Sequence, residues 1–118
     1  MLKILKNRGY KTGVATLKAE SFANIMLDEM KIASYFDAVC GMDEYDHLSK
    51  AKLIQKCCSL CEVDERSAIL IGDSNNDVIG AEEAGVKFIG VTYGFGFAPD
   101  KNYSFETANK VMGILKYL

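Results

Sequence analysis

Residues 68–77 read Ala68-Ile69-Leu70-Ile71-Gly72-Asp73-Ser74-Asn75-Asn76-Asp77. The first four form a short apolar run of the kind found in strands covered on both faces. The periodicity after them predicts a helix over 76–84, with Gly85 at its C-terminal end. Two carboxylates therefore stand four residues apart, where a buried strand gives way to a helix. Hard oxygen ligands at such a place suit Mg2+, which keeps several waters and takes one or two protein carboxylates. Gly72 lets the backbone turn tightly at the strand exit. Helix capping is the local alternative: Asp73 or Ser74 would satisfy free N–H groups, and Asp77 would be favoured by the helix dipole. Capping accounts well for one acidic residue and poorly for the whole run.

Outward from this stretch, helical patterns alternate with apolar runs. Leu2, Ile4 and Leu5 suggest a helix closed by Gly9, and 12–16 reads as a buried strand. Phe22, Ile25, Met26 and Met30 share one helical face over 21–30. A short strand is expected over 37–41, and a helix over 49–61 with Ser49 as its N-cap. Another strand is expected over 86–91, and a closing helix over 109–118. Strands alternating with helices predict an α/β domain over 1–118: a three-layer, doubly wound parallel sheet. Ligands in such sheets bind beyond the carboxyl ends of the strands.

Two further strand or helix ends carry candidate groups. Thr16 ends an apolar run, and its hydroxyl could hold a phosphate oxygen. Threonine is also a good N-cap. Lys50 opens a helix, where the dipole disfavours a positive charge. A use beyond helix stability is a point charge beside a phosphate; the alternative is a solvated lysine. Local pattern does not separate Lys50 from Lys52.

Composition sets the class. The chain has 118 residues, 49% apolar and 25% charged, with a net charge of -2. These are values of a globular domain, and the charge gives no basis for nucleic-acid binding. No apolar run approaches the length needed to span a bilayer. Cys58 and Cys61 form a C-x-x-C, which invites a redox or zinc reading. A structural zinc site usually needs four ligands, and no second C-x-x-C exists. Leu53, Ile54, Cys57, Cys58 and Cys61 instead make an apolar helical stripe in which thiols act as small hydrophobes. That fits a reducing, cytoplasmic setting. His47, before Lys50, reads as a solvated loop residue.

The order of these motifs resembles the haloacid dehalogenase-like (HAD) hydrolases. Val14-Ala15-Thr16-Leu17-Lys18 is similar to their second motif, Ser49-Lys50-Ala51-Lys52-Leu53-Ile54 to the third, and 69–77 to the acidic fourth. Gly80-Ala81-Glu82-Glu83-Ala84-Gly85 and Gly90-Val91-Thr92-Tyr93-Gly94 resemble the phosphoglycolate phosphatase branch. The resemblance implies a Mg2+-dependent phosphatase acting through an aspartyl-phosphate on a small phosphorylated metabolite. By it, Thr16 hydrogen-bonds the phosphoryl group, Lys50 stabilises its charge, Asp73 binds magnesium and Asp77 supports that metal shell. Phosphoryl transfer depends mainly on such positioning and charge stabilisation. Leu17 stands where a small polar residue is frequent, which touches only the substrate side.

The family's first motif, a D-x-D after a central strand, has no counterpart here. Asp43, Asp46 and Asp64 lie in polar stretches. The resemblance therefore implies a partial HAD-like Rossmannoid core, without the central nucleophile-bearing strand and without the cap domain that would precede Met1. This chain alone is then expected to be inactive. Three arrangements are open: a piece of a longer protein, a strand supplied in trans or by self-association, or direct pairing of the two flanking strands. A non-catalytic module that binds metal and phosphate is the functional rival. A phospho-acceptor receiver domain fits less well, because its first-strand acids are absent.

Overall fold

Helix α1 (Leu2–Asn7) buries Leu5 and ends at Gly9, whose φ of 83° turns the chain toward β1 (Gly13–Ala19). That conformation costs glycine little because it has no Cβ. These elements belong to a computed structural model that describes residues 2–43, 48–92, 96–97, 103, 105–109, 113–114 and 117–118. His47 lies outside the described residues. Helix α2 (Glu20–Glu29) follows β1 directly, and β2 spans Ala38–Met42. Helix α3 (Lys50–Leu60) starts at the expected cap, with Lys52 N–H donating to Ser49 Oγ at 3.2 Å. Strand β3 (Ile69–Gly72), helix α4 (Asn75–Ala84) and strand β4 (Lys87–Val91) follow. Gly85 closes α4 in the left-handed conformation, φ 78°.

Two features of the C-terminal part differ from expectation. Strand β5 (Glu106–Ala108) pairs parallel with β4, setting Ile89 opposite Glu106 and Val91 opposite Ala108. Three residues containing a glutamate and a threonine carry no strand periodicity, so pairing makes this strand rather than local pattern. Of the helix expected over 109–118, residues 110–112 and 115–116 lie outside the described residues. Gly113 and Ile114 form a helical turn. Ile114, 1% exposed, packs with Ile89, Val91 and Ala108.

Among the described residues all ladders are parallel, and helices flank them, as expected for a doubly wound α/β fold. The sheet lies in two parts: β1–β2, and β3–β4–β5. Gly13 stands opposite Ala38 and Val14 opposite Val39, while Ile69 stands opposite Lys87 and Gly72 opposite Gly90. No ladder joins β1 to β3. Direct pairing of these two strands, open on sequence grounds, does not occur. The fold is thus a partial core with a gap at the centre of its sheet.

Helices bridge the two parts. Helix α3 packs on β1, β2 and α4, and α4 packs on β3 and β4. The helices approach closely at Gly80, where an added Cβ would lie 3.0 Å from Lys50 Cβ. Beneath this crossing lies a cluster of Ala51, Ile54, Cys58, Ala81, Ala84 and Val86. Leu53, wholly buried, contributes about 1.5–3 kcal/mol through its removal from water. The thiol stripe is part of this core: Cys58 and Cys61 are buried and Cys57 is half-buried. Burial pushes the Cys57 thiol up to about 12. The apolar face of α2 behaves differently. Only Ala23 is buried and Met26 and Leu27 are half-buried, while Phe22, Ile25 and Met30 are exposed, so the covered face of α2 is not the one their spacing marks. Among the described residues, no helix is long and apolar enough to cross a membrane.

Candidate functional site

The site forms where β3 ends. Gly72 is the hinge: a Cβ there would lie 2.6 Å from Asp77 Cβ, so only glycine lets the first turn of α4 fold back over the strand end. Ser74 is the N-cap of α4. Its hydroxyl accepts from Asp77 N–H at 3.3 Å and donates to Asp77 Oδ2 at 3.0 Å. Asp77 Oδ2 also accepts from the Asp73 N–H at 3.2 Å and the Ser74 N–H at 3.3 Å. This reciprocal capping box satisfies N–H groups that the first helical turn leaves without partners. Capping is therefore a real role of Asp77, and it leaves Asp73 as the exposed carboxylate of the pair.

Lys50 reaches this cap from α3. Its Nζ lies 3.2 Å from Asp77 Oδ1 and donates to the Ala15 carbonyl of β1 at 2.5 Å. Both charged side chains are largely withdrawn from water, at 16% and 15% exposure. The positive charge at the helix start, unfavourable for α3 itself, is compensated by this carboxylate and carbonyl. Lys52 is exposed and takes no part. One ammonium thus links Ala15, within β1, to the cap beyond β3, across the gap in the sheet.

Thr16 follows Ala15. The β1–β2 register slips between Ala15 and Ala19, so Thr16 sits in an irregularity of the strand. Such irregularities re-aim side chains and recur beside functional sites. The half-buried Thr16 hydroxyl accepts from Lys18 N–H at 3.2 Å. Lys50, Asp73 and Asp77 line one cavity of about 460 Å³ with Val14 and Ala15 of β1 and Ile71 of β3. Thr16 stands one residue beyond that lining. The structure thus brings three of the four candidate residues to one cavity; Thr16 does not line it.

Two contributors escaped the sequence reading. The Ala15 carbonyl is a backbone group with no side-chain signature. Gly96 lies against the strand end, where an added Cβ would stand 2.9 Å from Ser74 Cα. The glycines at 94 and 96 were the available signal.

The donor set suits a hard cation in part. Asp73 offers an exposed carboxylate at a strand end, and Asp77 keeps its second oxygen toward the cavity beside Lys50. No group of three or more His, Cys, Asp or Glu side chains gathers to hold a metal among the described residues. Magnesium, with its retained waters and one or two carboxylates, fits such a set better than zinc.

Comparison with known proteins gives a consistent result. Residues 1–91 match the haloacid dehalogenase-like hydrolase family. The pyrophosphatase PpaX of Bacillus cereus is 31% identical over 90 residues, covering 75% of this chain and 42% of its own. A predicted phosphatase from Clostridium acetobutylicum superposes with a TM-score of 0.87 at 34% identity, covering 98% of this chain and 55% of that one. A haloacid dehalogenase-like family hydrolase from Streptococcus pneumoniae gives 0.87 at 30% identity, with the same coverage of 98% and 55%. The chain therefore spans about half the length of these relatives. With the motif order, the split parallel sheet and the lysine-linked acidic cap, these matches show that the chain belongs to the haloacid dehalogenase-like hydrolases.

Proposed function

We propose that residues 1–118 supply the metal- and phosphate-holding part of a Mg2+-dependent phosphatase that cleaves small phosphate monoesters. The carrying observation is the Lys50 ammonium, held between Asp77 and the Ala15 carbonyl beside the exposed Asp73. A fixed positive charge and an oxygen ligand at one strand end suit a phosphoryl group that must be oriented and neutralised. Lys50 would attract the phosphoryl oxygens, and Thr16 would donate a hydrogen bond to one of them. Asp73, with Asp77 behind it, would hold Mg2+, which when bound offsets the charge of the transferring group. Asp77, through its cap and ion pair, would keep Lys50 in place.

The nucleophile would be an aspartate from outside these residues. Its oxygen would bond to phosphorus as the ester P–O bond breaks and the leaving alcohol takes a proton. Water would then cleave the aspartyl-phosphate to inorganic phosphate and restore the carboxylate. A phosphoglycolate-like substrate is the choice suggested by the motifs around Gly80–Gly85 and Gly90–Gly94. Reduced thiols along α3 support a cytoplasmic setting. The second reading is a non-catalytic module in which the same Asp73, Thr16 and Lys50 would hold a metal and an anion without turnover.

The decisive experiment measures Mg2+ and inorganic phosphate binding by titration calorimetry, alongside hydrolysis of p-nitrophenyl phosphate. The expected outcome is Mg2+ binding weakened about tenfold or more by Asp73→Asn, with no turnover by the 118-residue chain. Binding of neither ion by a folded sample would overturn the reading. Mg2+-dependent turnover lost in Asp73→Asn would mean that the chain holds its own nucleophile.

A further inference from the structure

The ladder between β1 and β2 is broken where the candidate threonine stands. Ala15 is opposite Cys40 and Ala19 is opposite Met42, so residues 16, 17 and 18 of β1 face residue 41 alone of β2. A bulge of this kind takes backbone groups out of the ladder and re-aims the side chains of the longer strand. A buried N–H withdrawn from a ladder needs another acceptor. Gly41 is buried, and its N–H donates to Glu20 Oε1 at 3.2 Å. The first side chain of α2 thus takes the place of a ladder partner.

The contact is closely fitted. A Cβ at position 41 would lie 2.4 Å from Glu20 Cα and 2.8 Å from the Lys18 carbonyl oxygen, so only glycine lets the backbone of 18–20 close down on β2. The bulged residues are thereby pinned at their far end. Within them, the Thr16 hydroxyl oxygen accepts from the Lys18 N–H at 3.2 Å. That bond uses a lone pair and leaves the hydroxyl proton to donate. Glu20 Oε1 also lies 3.9 Å from Lys56 Nζ of α3. Both side chains of that pair are nearly half exposed, so it orients the carboxylate more than it stabilises the fold.

Helix stability is the simpler role for an acid here, since the dipole favours negative charge in the first turn. Aspartate would serve that role equally, and it requires no reach back to β2. Ala19, the residue before it, gives α2 no side-chain cap. Glu20 directs its oxygen at Gly41 instead.

We propose that Glu20 is a positioning residue for Thr16: by holding the Gly41 N–H it fixes the bulge that sets the Thr16 hydroxyl for a phosphoryl oxygen. What Thr16 holds rests on the proposed function; the grip of Glu20 on the bulge does not. Glu20 acts through Thr16 and not on the phosphate itself.

Three variants of the 118-residue chain separate the roles. Glu20→Gln keeps an acceptor oxygen at the same reach. Glu20→Asp keeps the charge at the helix start but falls a methylene short of Gly41. Glu20→Ala removes both. Hydrogen exchange followed by NMR reads the bulge directly. In Glu20→Ala and Glu20→Asp the Gly41 and Lys18 amides should exchange about tenfold faster relative to the Leu53 amide, and Glu20→Gln should restore them. Lys18 is the more informative amide, because its N–H donates to Thr16 and not to Glu20. Titration with inorganic phosphate at saturating Mg2+ reads the consequence. Phosphate binding should weaken by roughly fivefold to tenfold in Glu20→Ala and Glu20→Asp, with Mg2+ binding unchanged. Thr16→Val should weaken it too, and the double variant Thr16→Val/Glu20→Ala should bind no more weakly than Thr16→Val alone. Unaltered Lys18 exchange in Glu20→Ala and Glu20→Asp, or losses that add in the double variant, would overturn the proposal. A wild-type chain that binds no phosphate would instead count against the phosphatase reading, and the Lys18 exchange would still decide whether Glu20 holds the bulge.

Discussion

Lys50 and Asp77 offer a quantitative test of how the two halves of the sheet are held in register. At 3.2 Å, opposite unit charges attract by about 5 kcal/mol at an effective dielectric constant near 20. Withdrawing both groups from water offsets most of this, since each is about 85% covered. A net coupling of about 1–2 kcal/mol is expected, in the range of hydrogen bonds to charged groups. Lys50→Met retains the aliphatic stem against Gly80 but loses the ammonium. It strands Asp77 Oδ1 and removes the donor to the Ala15 carbonyl, and should destabilise by about 2–3 kcal/mol. Asp77→Asn removes the charge and disturbs the cap. The assay is urea unfolding of wild type, both single variants and the double variant. The double variant should be more stable than the sum of the single losses predicts, by the coupling energy. The coupling should persist in high salt, because largely buried pairs are weakly screened. Additive losses, with coupling below about 0.5 kcal/mol, would refute the claim that this ion pair links the halves.

Other consequences follow from single residues. Gly72→Ala places a methyl group against Asp77 and should cost about 1–3 kcal/mol in unfolding experiments, while weakening Mg2+ binding through the displaced cap. Lys6 and the Thr12 N–H, both hydrogen-bonded to Asp37, hold its carboxyl below the ordinary value of 3.8. A carboxyl lowered in the folded state adds stability that is complete above 3.8 and is lost as pH falls through the folded value. Lys6→Met should therefore flatten the acid limb of the stability profile, and an unchanged limb would count against the contact. The Cys57 thiol, pushed up to about 12 by burial, stays neutral in the folded protein where an unfolded thiol ionises near 9. Its effect on stability has the opposite pattern: it should decline as pH rises from about 9 toward 12, and Cys57→Ala should remove that decline. Iodoacetamide labelling of Cys57 should be slow until urea unfolds the chain.

What the sequence determined about this protein was mostly local. Ser74 and Asp77 are three residues apart, and their capping box uses only groups within one helical turn. The same holds for Ser49 at the start of α3 and for Gly85, whose left-handed conformation ends α4. The apolar runs at 68–71 and 86–91 announced strands, although β3 is only partly covered and its Ile71 is exposed, and the alternation of elements announced a parallel fold. The motif order, from Thr16 through Lys50 to Asp73 and Asp77, carried the family. Tertiary structure decided matters set by pairing between distant residues. It gave the physical reason for Lys50 rather than Lys52, which the family resemblance had already favoured: Lys50 Nζ reaches both the Ala15 carbonyl and Asp77. It created β5 from three residues of weak strand character by laying them beside β4. It left Phe22, Ile25 and Met30 exposed although their spacing marked one helical face. Above all, it divided the sheet between β1 and β3. Periodicity shows which residues want burial, but whether a strand edge meets a partner depends on chain brought from elsewhere, and no local pattern encodes that.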